Sequence, residues 1–223
     1  MQPIADPPQE DTMKIAVVGA TGRTGRLVVD LALAAGHTVT AVARDPSKVP
    51  AFTHGTPLTA RADVAQPGSL HEALAGQDAV VAALGTAGRG ATTVFSDGAR
   101  ELTAACASGD VRHLVAMSSA GLDTSRLPFA QRLVTTLVVD RLYREIHHDL
   151  ARMEALLAES GTPWTVVRVP MLKDGPASAH PQVAYDRPLP RAGTAARATV
   201  AAWILGHLGD AETFGRLVHL SDG

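Results

Sequence analysis

A seven-residue segment, Gly19–Gly25 (GATGRTG), has the residue types and the spacing needed to bind a phosphate. Its first glycine allows a sharp turn, and its second, Gly22, leaves room for a pyrophosphate beside the backbone. Its third permits a helix to pack closely on a strand. The helix that follows would present free N–H groups and a partial positive charge to the phosphates. The segment predicts a dinucleotide-binding turn, and the alternative is a plain glycine-rich turn between a strand and a helix.

The elements around this turn predict the fold. Lys14–Val18 is a short β-branched run and predicts a buried strand, Thr24–Ala35 has helical spacing, and Thr38–Ala43 predicts a second strand. Strand, turn, helix and strand in this order form a βαβ unit, which requires a parallel sheet. Because the alternation continues along the chain, we expect an α/β fold: a Rossmann-like, doubly wound, mostly parallel sheet with a small C-terminal substrate cap.

The remaining elements follow from apolar runs and from glycines that end them. Further strands are predicted at Pro57–Arg61, Ala79–Leu84, His113–Met117, Trp164–Val169 and Leu217–Leu220, and helices at Ser69–Ala75 (with Ser69 as N-cap), Thr93–Ala107 (ended by Gly109), Tyr143–Ser160 and Ala195–Leu208. Residues 1–12 are expected to form a flexible leader before a single domain at 13–223. The stretch from Lys173 to Pro190 is expected to be a loop over the substrate. The apolar stripe in Leu127–Tyr143 is open between core, pocket wall and dimer face.

The residue after the second predicted strand distinguishes between the two dinucleotides. NAD-preferring sites usually have an acidic residue there, which accepts hydrogen bonds from the ribose hydroxyls. This chain has Arg44, whose guanidinium can bind a 2′-phosphate with charge-assisted hydrogen bonds. Arg23 is expected to add a second positive charge at the same phosphate. Asp45 leaves two alternatives open, because it would either pair with Arg44 or face the ribose itself.

Residues at the ends of other strands complete the predicted cofactor site. Ligands of open α/β sheets bind at the carboxyl edge, where Asp63 and Val64 are candidates for an adenine contact, although Asp63 is equally suited to cap a turn. Gly85 would let the backbone approach the cofactor. The predicted cofactor-binding residues are Gly19, Thr21, Gly22, Arg23, Thr24, Gly25, Arg44, Asp63, Val64, Leu84, Gly85, Thr86, Ser118, Val169, Pro170 and Met171.

Composition excludes several other classes of protein. With 46% hydrophobic residues among 223, the chain can form a substantial core, and with 4% aromatics that core must be aliphatic. A net charge of −2 offers no attraction to nucleic acid or to an anionic membrane surface. The single cysteine, Cys106, excludes an internal disulfide and a cysteine-based metal site, and it suits the cytoplasm. We therefore expect a cytoplasmic protein with a small-molecule substrate, no metal, no nucleic acid and no membrane.

Several segments taken together resemble a known family. GATGRTG, DAVVAALGT followed by TTVFSDGAR, MSSAGL and ESGTPWTVVRVPML are similar to the atypical short-chain dehydrogenase/reductases with an NmrA-like NAD(P)-binding domain, and among them to the biliverdin reductase B, or flavin reductase, group. The resemblance extends over nearly the whole chain from Met13. It implies an NADPH-dependent reductase of flavins and tetrapyrroles that is a monomer or a weak homodimer.

The resemblance also implies roles for individual residues. Ser119 matches the serine beside the nicotinamide, with neighbouring Ser118 as the alternative, and the backbone of Val169–Met171 matches the segment that contacts the carboxamide. The Tyr-x-x-x-Lys pair of most short-chain dehydrogenases is missing. Tyr143 and His147, four residues apart on one helix face, are the candidate substitutes for proton donation, and the alternative is a helix-surface pair that contacts Asp149 or Arg152.

The predicted function is hydride transfer from NADPH to a conjugated or carbonyl acceptor, such as a flavin, a tetrapyrrole, a quinone or a secondary metabolite. Two alternatives stay open. One is an NmrA-like redox sensor that binds NADP(H) without turnover, for which the missing Tyr-Lys pair argues. The other is an isomerase, cyclase or ketoreductase of a secondary pathway on the same fold.

Overall fold

The computed structural model of the protein describes residues 12–86, 88, 90–126, 128, 140–191 and 193–222. The predicted leader, except its last residue, and most of the stretch 127–143 lie outside these residues. The strands are β1 (Lys14–Val18), β2 (Thr38–Ala43), β3 (Leu58–Arg61), β4 (Ala79–Ala82), β5 (His113–Ser119), β6 (Trp164–Val169), β7 (Met171–Lys173), β8 (Gln182–Tyr185), β9 (Thr194–Ala196) and β10 (Arg216–Ser221). The α-helices are α1 (Arg23–Ala34), α2 (His71–Leu74), α3 (Val94–Gly109), α4 (Asp140–Glu159) and α5 (Arg197–Gly206).

The main sheet confirms the predicted Rossmann-like fold. Its strand order is β3-β2-β1-β4-β5-β6-β10-β8, and every pairing is parallel except that of β8 with β10. The chain order reverses direction between β1 and β4. In open α/β sheets ligands bind outside the carboxyl ends of the strands at such a reversal, and the glycine-rich turn follows β1 at this place.

Helices cover both faces of the sheet, and each face has its own core. On one face α3 and α4 pack around Leu102, Leu114 and Leu157. On the other face α1 and α5 pack around Val28 and Ile204. Strands buried from both sides have near-continuous aliphatic sequences, which explains the low aromatic content.

Several predicted helix boundaries differ from the structure. Helix α4 begins at Asp140 rather than at Tyr143, and α5 spans Arg197–Gly206 rather than Ala195–Leu208, because Ala195 and Ala196 belong to β9. Helix α2 begins at His71 after Leu70, and the Ser69 hydroxyl is not its cap, because it donates to the Asp63 carbonyl oxygen at 2.6 Å. Helix α3 ends at Gly109, two residues after the predicted Ala107, and the C-cap residue in the left-handed conformation is Asp110, with φ of 55°. Aspartate tolerates that conformation better than most residues.

The region expected to be a loop over the substrate, Lys173–Pro190, contains one strand, β8; strand β7 ends at its first residue, and β9 begins shortly after it. Strand β7 pairs in parallel with β9 in a small separate sheet, while β8 joins the edge of the main sheet beside β10. Three or four residues between prolines carry too little periodicity to predict a strand. These pairings hold the C-terminal cap against the carboxyl edge of the main sheet.

The imidazole of His113 lies within the core at the start of β5. Its Nε2 lies 2.9 Å from Thr165 Oγ1, and its Nδ1 accepts a hydrogen bond from the Gly209 N–H at 3.0 Å. Since Thr165 Oγ1 donates to the Thr213 carbonyl oxygen at 2.6 Å, it accepts from Nε2–H, and the neutral ring satisfies every partner. Burial lowers the pKa of His113 to about 4, opposed weakly by the charge of Asp210.

This buried histidine predicts a pH-dependent stability. Between the unfolded pKa near 6.5 and the folded pKa near 4, the unfolded chain binds a proton that the folded chain excludes. The free energy of unfolding should therefore fall as the pH drops through this window, by roughly 3 kcal/mol for the full shift. Chemical denaturation at pH 7.5, 6, 5 and 4 measures the loss. His113→Gln should flatten the profile and exposed His71→Gln should not; a smaller slope remains from His219, whose pKa burial also lowers.

Candidate cofactor and active site

The glycine-rich turn is wedged between the ends of β1 and β4. Gly19 has φ of +89°, and a Cβ on it would lie 2.5 Å from the Ala83 carbonyl oxygen, which follows β4. A Cβ on Gly25 would collide with the Gly19 carbonyl oxygen. The Gly22 N–H donates to that same oxygen at 2.9 Å. The turn is thus a cradle that side chains would fill, and exposed Gly22 leaves its outer face open. This fits the diphosphate of a dinucleotide.

The other end of the predicted cofactor site lies at the carboxyl end of β2. Arg44 is exposed and makes no ion pair with any residue that the structure describes. Asp45 accepts hydrogen bonds from the Ser47 hydroxyl at 2.6 Å and from the Ser47 N–H at 3.2 Å, and the hydroxyl bond holds the pKa of Asp45 below its usual value. Of the alternatives weighed for Asp45, the pair with Arg44 is not present among the described residues, and contact with the ribose stays a prediction.

The neighbouring strand ends show what the predicted adenine contacts do in the protein. Val64 is buried in the core, and the Asp63 carboxylate accepts from the Ala65 N–H at 3.1 Å, as a turn cap does. Leu84 lies against Gly98 of α3, where a Cβ would meet it at 2.5 Å, and Gly85 and Thr86 are exposed beyond it.

Arg23 has a partner in the C-terminal part of the chain. Its guanidinium forms an ion pair with Asp174, in the loop after β7, and its placement with Arg44 at one phosphate stays a prediction. Arg197, the first residue of α5, binds the same carboxylate, with Nη1 2.9 Å from Oδ1. Arg23 is therefore directed toward the C-terminal cap.

The two serines at the end of β5 have different partners. Ser118 is buried, and its hydroxyl donates to Glu154 Oε1 at 2.6 Å. Ser119 Oγ accepts from the Gly121 N–H at 3.1 Å and lies 3.2 Å from His147 Nε2. Between these two predicted neighbours, Ser119 is the one that faces His147.

One face of α4 forms a wall of the site. Tyr143, His147, Leu150 and Glu154 follow each other at spacings of four, three and four residues and so share a helix face. The rings of Tyr143 and His147 stack, with centroids 6.4 Å apart and planes at 27°. The first three of these residues, with the ends of β5 and β6, line a cavity of about 700 Å³.

The carboxylate of Asp149 fixes the position of α4. It is fully buried and accepts hydrogen bonds from the first turn of α3: from the Phe95 N–H at 2.9 Å, from the Ser96 N–H at 3.4 Å and from the Ser96 hydroxyl at 2.5 Å. No cap for α3 comes from Thr93, its own N-cap residue. Asp149 is therefore the cap, supplied by the helix that carries His147.

A charged cluster lies under the cavity and was not predicted as part of the site. Arg168 of β6 binds Glu154 with two hydrogen bonds, of 3.0 and 2.6 Å, and only 11% of its side chain is exposed. Burial and the Arg168 charge lower the pKa of His219, so a neutral imidazole is favoured there. Burial alone would raise the pKa of Asp123, but hydrogen bonds from Ser125 and the charges of Arg168 and His219 outweigh it and leave that pKa lowered. A charged residue within the apolar strand WTVVRV was the available signal.

The remaining predicted contacts follow β6. Val169, Pro170 and Met171 all line the cavity; Val169 is otherwise buried, whereas 75% of Met171 is exposed. No three His, Cys, Asp or Glu side chains come together as a metal site in the part of the chain that the structure describes. None of the helices described is long and apolar enough to cross a membrane.

Comparison with known proteins agrees with this geometry. Residues 19–211 match the family model described as NAD(P)H-binding. The fold is similar to that of the oxidoreductase YlbE from Lactococcus lactis, with a TM-score of 0.77, 18% identity and coverage of 95% of this chain and 91% of that one. It is also similar to a short-chain dehydrogenase/reductase from Veillonella parvula, solved in complex with NADP (TM-score 0.75, 19% identity, 94% of each chain). A third neighbour is a candidate NADH-flavin reductase from Streptococcus pneumoniae (TM-score 0.73, 20% identity, 95% and 100%).

Proposed function

This chain belongs to the NAD(P)H-binding family, and from that premise we propose that it is an NADPH-dependent reductase of a conjugated or carbonyl acceptor of the flavin, tetrapyrrole or quinone type. The observation that carries the proposal is the pair formed by Ser119 and His147 on the wall of the 700 Å³ cavity. A bound nicotinamide supplies the hydride. The remaining requirement of the reaction is a proton for the acceptor, and the pair meets it.

The hydrogen bonds of Ser119 suit a proton relay. Its oxygen has two lone pairs and one hydrogen. The Gly121 N–H occupies one lone pair, and a protonated His147 occupies the other through Nε2–H. The serine hydrogen is then directed to the acceptor, where negative charge develops as hydride arrives. Once Ser119 has given its proton, His147 replaces it, which substitutes for the missing tyrosine and lysine.

The preference for NADPH over NADH rests on Arg44. Asp45, which follows Arg44, has one carboxylate oxygen, Oδ1, engaged by the Ser47 hydroxyl and N–H, so it is partly committed to its own turn. A guanidinium at that position, exposed and without an ion pair among the described residues, suits a 2′-phosphate.

Arg44→Ala should weaken NADPH binding about tenfold, since it removes charge-assisted hydrogen bonds to one phosphate. NADH binding should stay within twofold of the wild-type value. Fluorescence titration of both reduced cofactors measures the two dissociation constants. Arg112→Ala, which removes an exposed arginine beside Asp78 before β5, is the matched control. Equal losses for NADPH and NADH, or no loss for either, would contradict the 2′-phosphate assignment.

The reductase proposal itself is tested by turnover. The protein is mixed with NADPH, and absorbance at the reduced-nicotinamide band is followed with FMN, biliverdin and a panel of small quinones. Oxidation of NADPH with any of them supports the proposal. Tight binding of both NADP⁺ and NADPH with no turnover on the whole panel would favour the redox sensor, and conversion of a metabolite without net NADPH oxidation would favour the isomerase or cyclase.

The proposed setting is the cytoplasm, with the protein a monomer or a weak homodimer. Light scattering at several protein concentrations, with and without NADP⁺, tests the second statement. A stable higher oligomer at micromolar concentration would contradict it.

A further inference from the structure

One carboxylate, that of Asp174, binds two arginines beside the glycine-rich turn. Asp174 binds Arg23 and Arg197 at once, although these residues are far apart in the chain. Arg23 is the first residue of α1, where the glycine-rich turn ends, and Arg197 is the first residue of α5 and lines the cavity. Asp174 thus joins one guanidinium group from the phosphate turn to another from the lining of the active-site cavity.

Exposure argues that this bridge is not mainly structural. The side chains of Asp174 and Arg23 are 64% and 66% exposed. Ion pairs so exposed contribute little to stability, because solvent screens them and ordering two long side chains costs entropy. Arg197 differs, since only 14% of its side chain is exposed and its guanidinium is thereby held in place toward the cavity mouth.

The charges also suggest a second anionic partner. Two arginines and one aspartate leave a net charge of +1 beside the positive end of α1. A diphosphate carries two negative charges and accepts the same forked, charge-assisted hydrogen bonds from guanidinium groups that a carboxylate does.

We propose that Asp174 occupies the place of the cofactor diphosphate, and that Arg23 and Arg197 become its ligands when the dinucleotide displaces this carboxylate. Arg197 is thereby assigned to the cofactor site from the C-terminal cap. Asp174 lowers the affinity for the dinucleotide, because its two ion pairs must be broken on binding. This inference rests on the proposed cofactor site and extends it beyond the glycine-rich turn.

Calorimetric titration with two ligands tests it. NADP⁺ contains the diphosphate, whereas 2′-AMP contains the adenosine and its 2′-phosphate alone. Arg23→Ala and Arg197→Ala should each weaken NADP⁺ binding on the order of tenfold and leave 2′-AMP binding within twofold. Asp174→Asn should tighten NADP⁺ binding about two- to fivefold, again without an effect on 2′-AMP.

Two controls have the same charge changes at the opposite edge of the sheet. Asp110→Asn keeps a residue that tolerates the left-handed conformation, and Arg112→Ala removes an exposed arginine. Neither should change the binding of either ligand. Arg197→Lys, which keeps the charge, should recover part of the affinity and guards against misfolding of the alanine variant.

Three results would contradict the proposal, and each points to a different error. If Asp174→Asn weakens NADP⁺ binding, the carboxylate holds the bound state together and the displacement is wrong. If wild-type protein binds NADP⁺ and neither arginine variant changes the affinity, the assignment fails while the reductase proposal stands. If the wild type binds neither NADP⁺ nor NADPH, both fail together.

Discussion

Replacing Ser119 with alanine is expected to lower kcat for NADPH-dependent reduction about 10²- to 10³-fold, with the affinity for NADPH unchanged. The hydroxyl donates to the acceptor as charge develops, and groups that act in this way contribute effects of that size. Steady-state kinetics with an acceptor found in the turnover panel, together with NADPH titration, separates the two quantities. Ser118→Ala is the matched control only for the loss of a hydroxyl, because it breaks the hydrogen bond to Glu154. It should affect stability more than the chemical step.

The role of His147 is tested by the pH dependence of kcat. In the wild type kcat should fall as the pH rises and the imidazolium is lost, and His147→Gln should lower kcat and flatten this pH dependence. Gly121→Ala should do the same without removing any functional group, since a Cβ there would lie 2.7 Å from His147 Cε1 and 3.2 Å from Ser119 Oγ. Full activity of Ser119→Ala, or an unchanged pH profile of His147→Gln, would remove that residue from the mechanism.

Replacing Gly25 with alanine is expected to abolish measurable NADPH binding and to lower the free energy of unfolding by about 3 kcal/mol, as overpacking against rigid atoms does. The added Cβ meets the Gly19 carbonyl oxygen, which is backbone and cannot rotate away. Either the helix moves off the strand or the turn opens, and both changes remove the phosphate cradle. Cofactor titration and thermal unfolding measure the two effects.

Gly206→Ala is the control for this substitution. A Cβ on Gly206, the last residue of α5, meets no atom within 4 Å. Alanine is favoured over glycine in helices by about 1 kcal/mol or less, so this variant should be as stable as the wild type or slightly more stable, with normal cofactor binding. A Gly25→Ala protein with wild-type affinity would show that close packing of α1 on β1 is not needed for binding.

The parallel core could be predicted because its sequence signals are local. The strand at Lys14–Val18 and the one at Trp164–Val169 were predicted with the bounds that the structure has. Each is a short β-branched run bounded by turn residues, and strands buried on both faces need nothing more. The glycine-rich turn could also be predicted from the sequence. Its glycines stand at positions where a side chain would clash whenever a helix follows the first strand closely.

The cap could not be predicted in the same way. Strand β8 is defined by antiparallel pairing with β10, more than thirty residues later, and β7 by pairing with β9. A strand of three or four residues exists because its partner is present, and that information lies outside its own sequence. Ser69 shows the same limit on a smaller scale, since its hydroxyl bonds back to the Asp63 carbonyl oxygen rather than forward to a helix.

At the site, the sequence predicted which residues share a helix face, but it did not predict which residues from other elements contact them. That Tyr143 and His147 share a face follows from the helix period alone. That His147 lies beside Ser119, and that Glu154 binds Arg168 beneath them, depends on how α4 crosses the ends of β5 and β6. The ion pair of Arg23 could not be predicted for the same reason, because its partner is Asp174, 151 residues away.

The cap on α3 has a consequence for how an acceptor reaches the cavity. Asp149 is shared between two helices, so withdrawal of α4 from the cavity would break its hydrogen bonds to Phe95 and Ser96 and leave the first turn of α3 uncapped. Such a motion is costly, and this side of the cavity should stay closed throughout turnover. Among the described walls of the cavity, we therefore expect admission and release at the segment between β8 and β9, which contributes Pro188, Leu189 and Arg191 to the lining. Hydrogen exchange should accordingly be slow at the amides of Phe95 and Ser96 in the presence and absence of acceptor, while any ligand-dependent protection appears in residues 186–191.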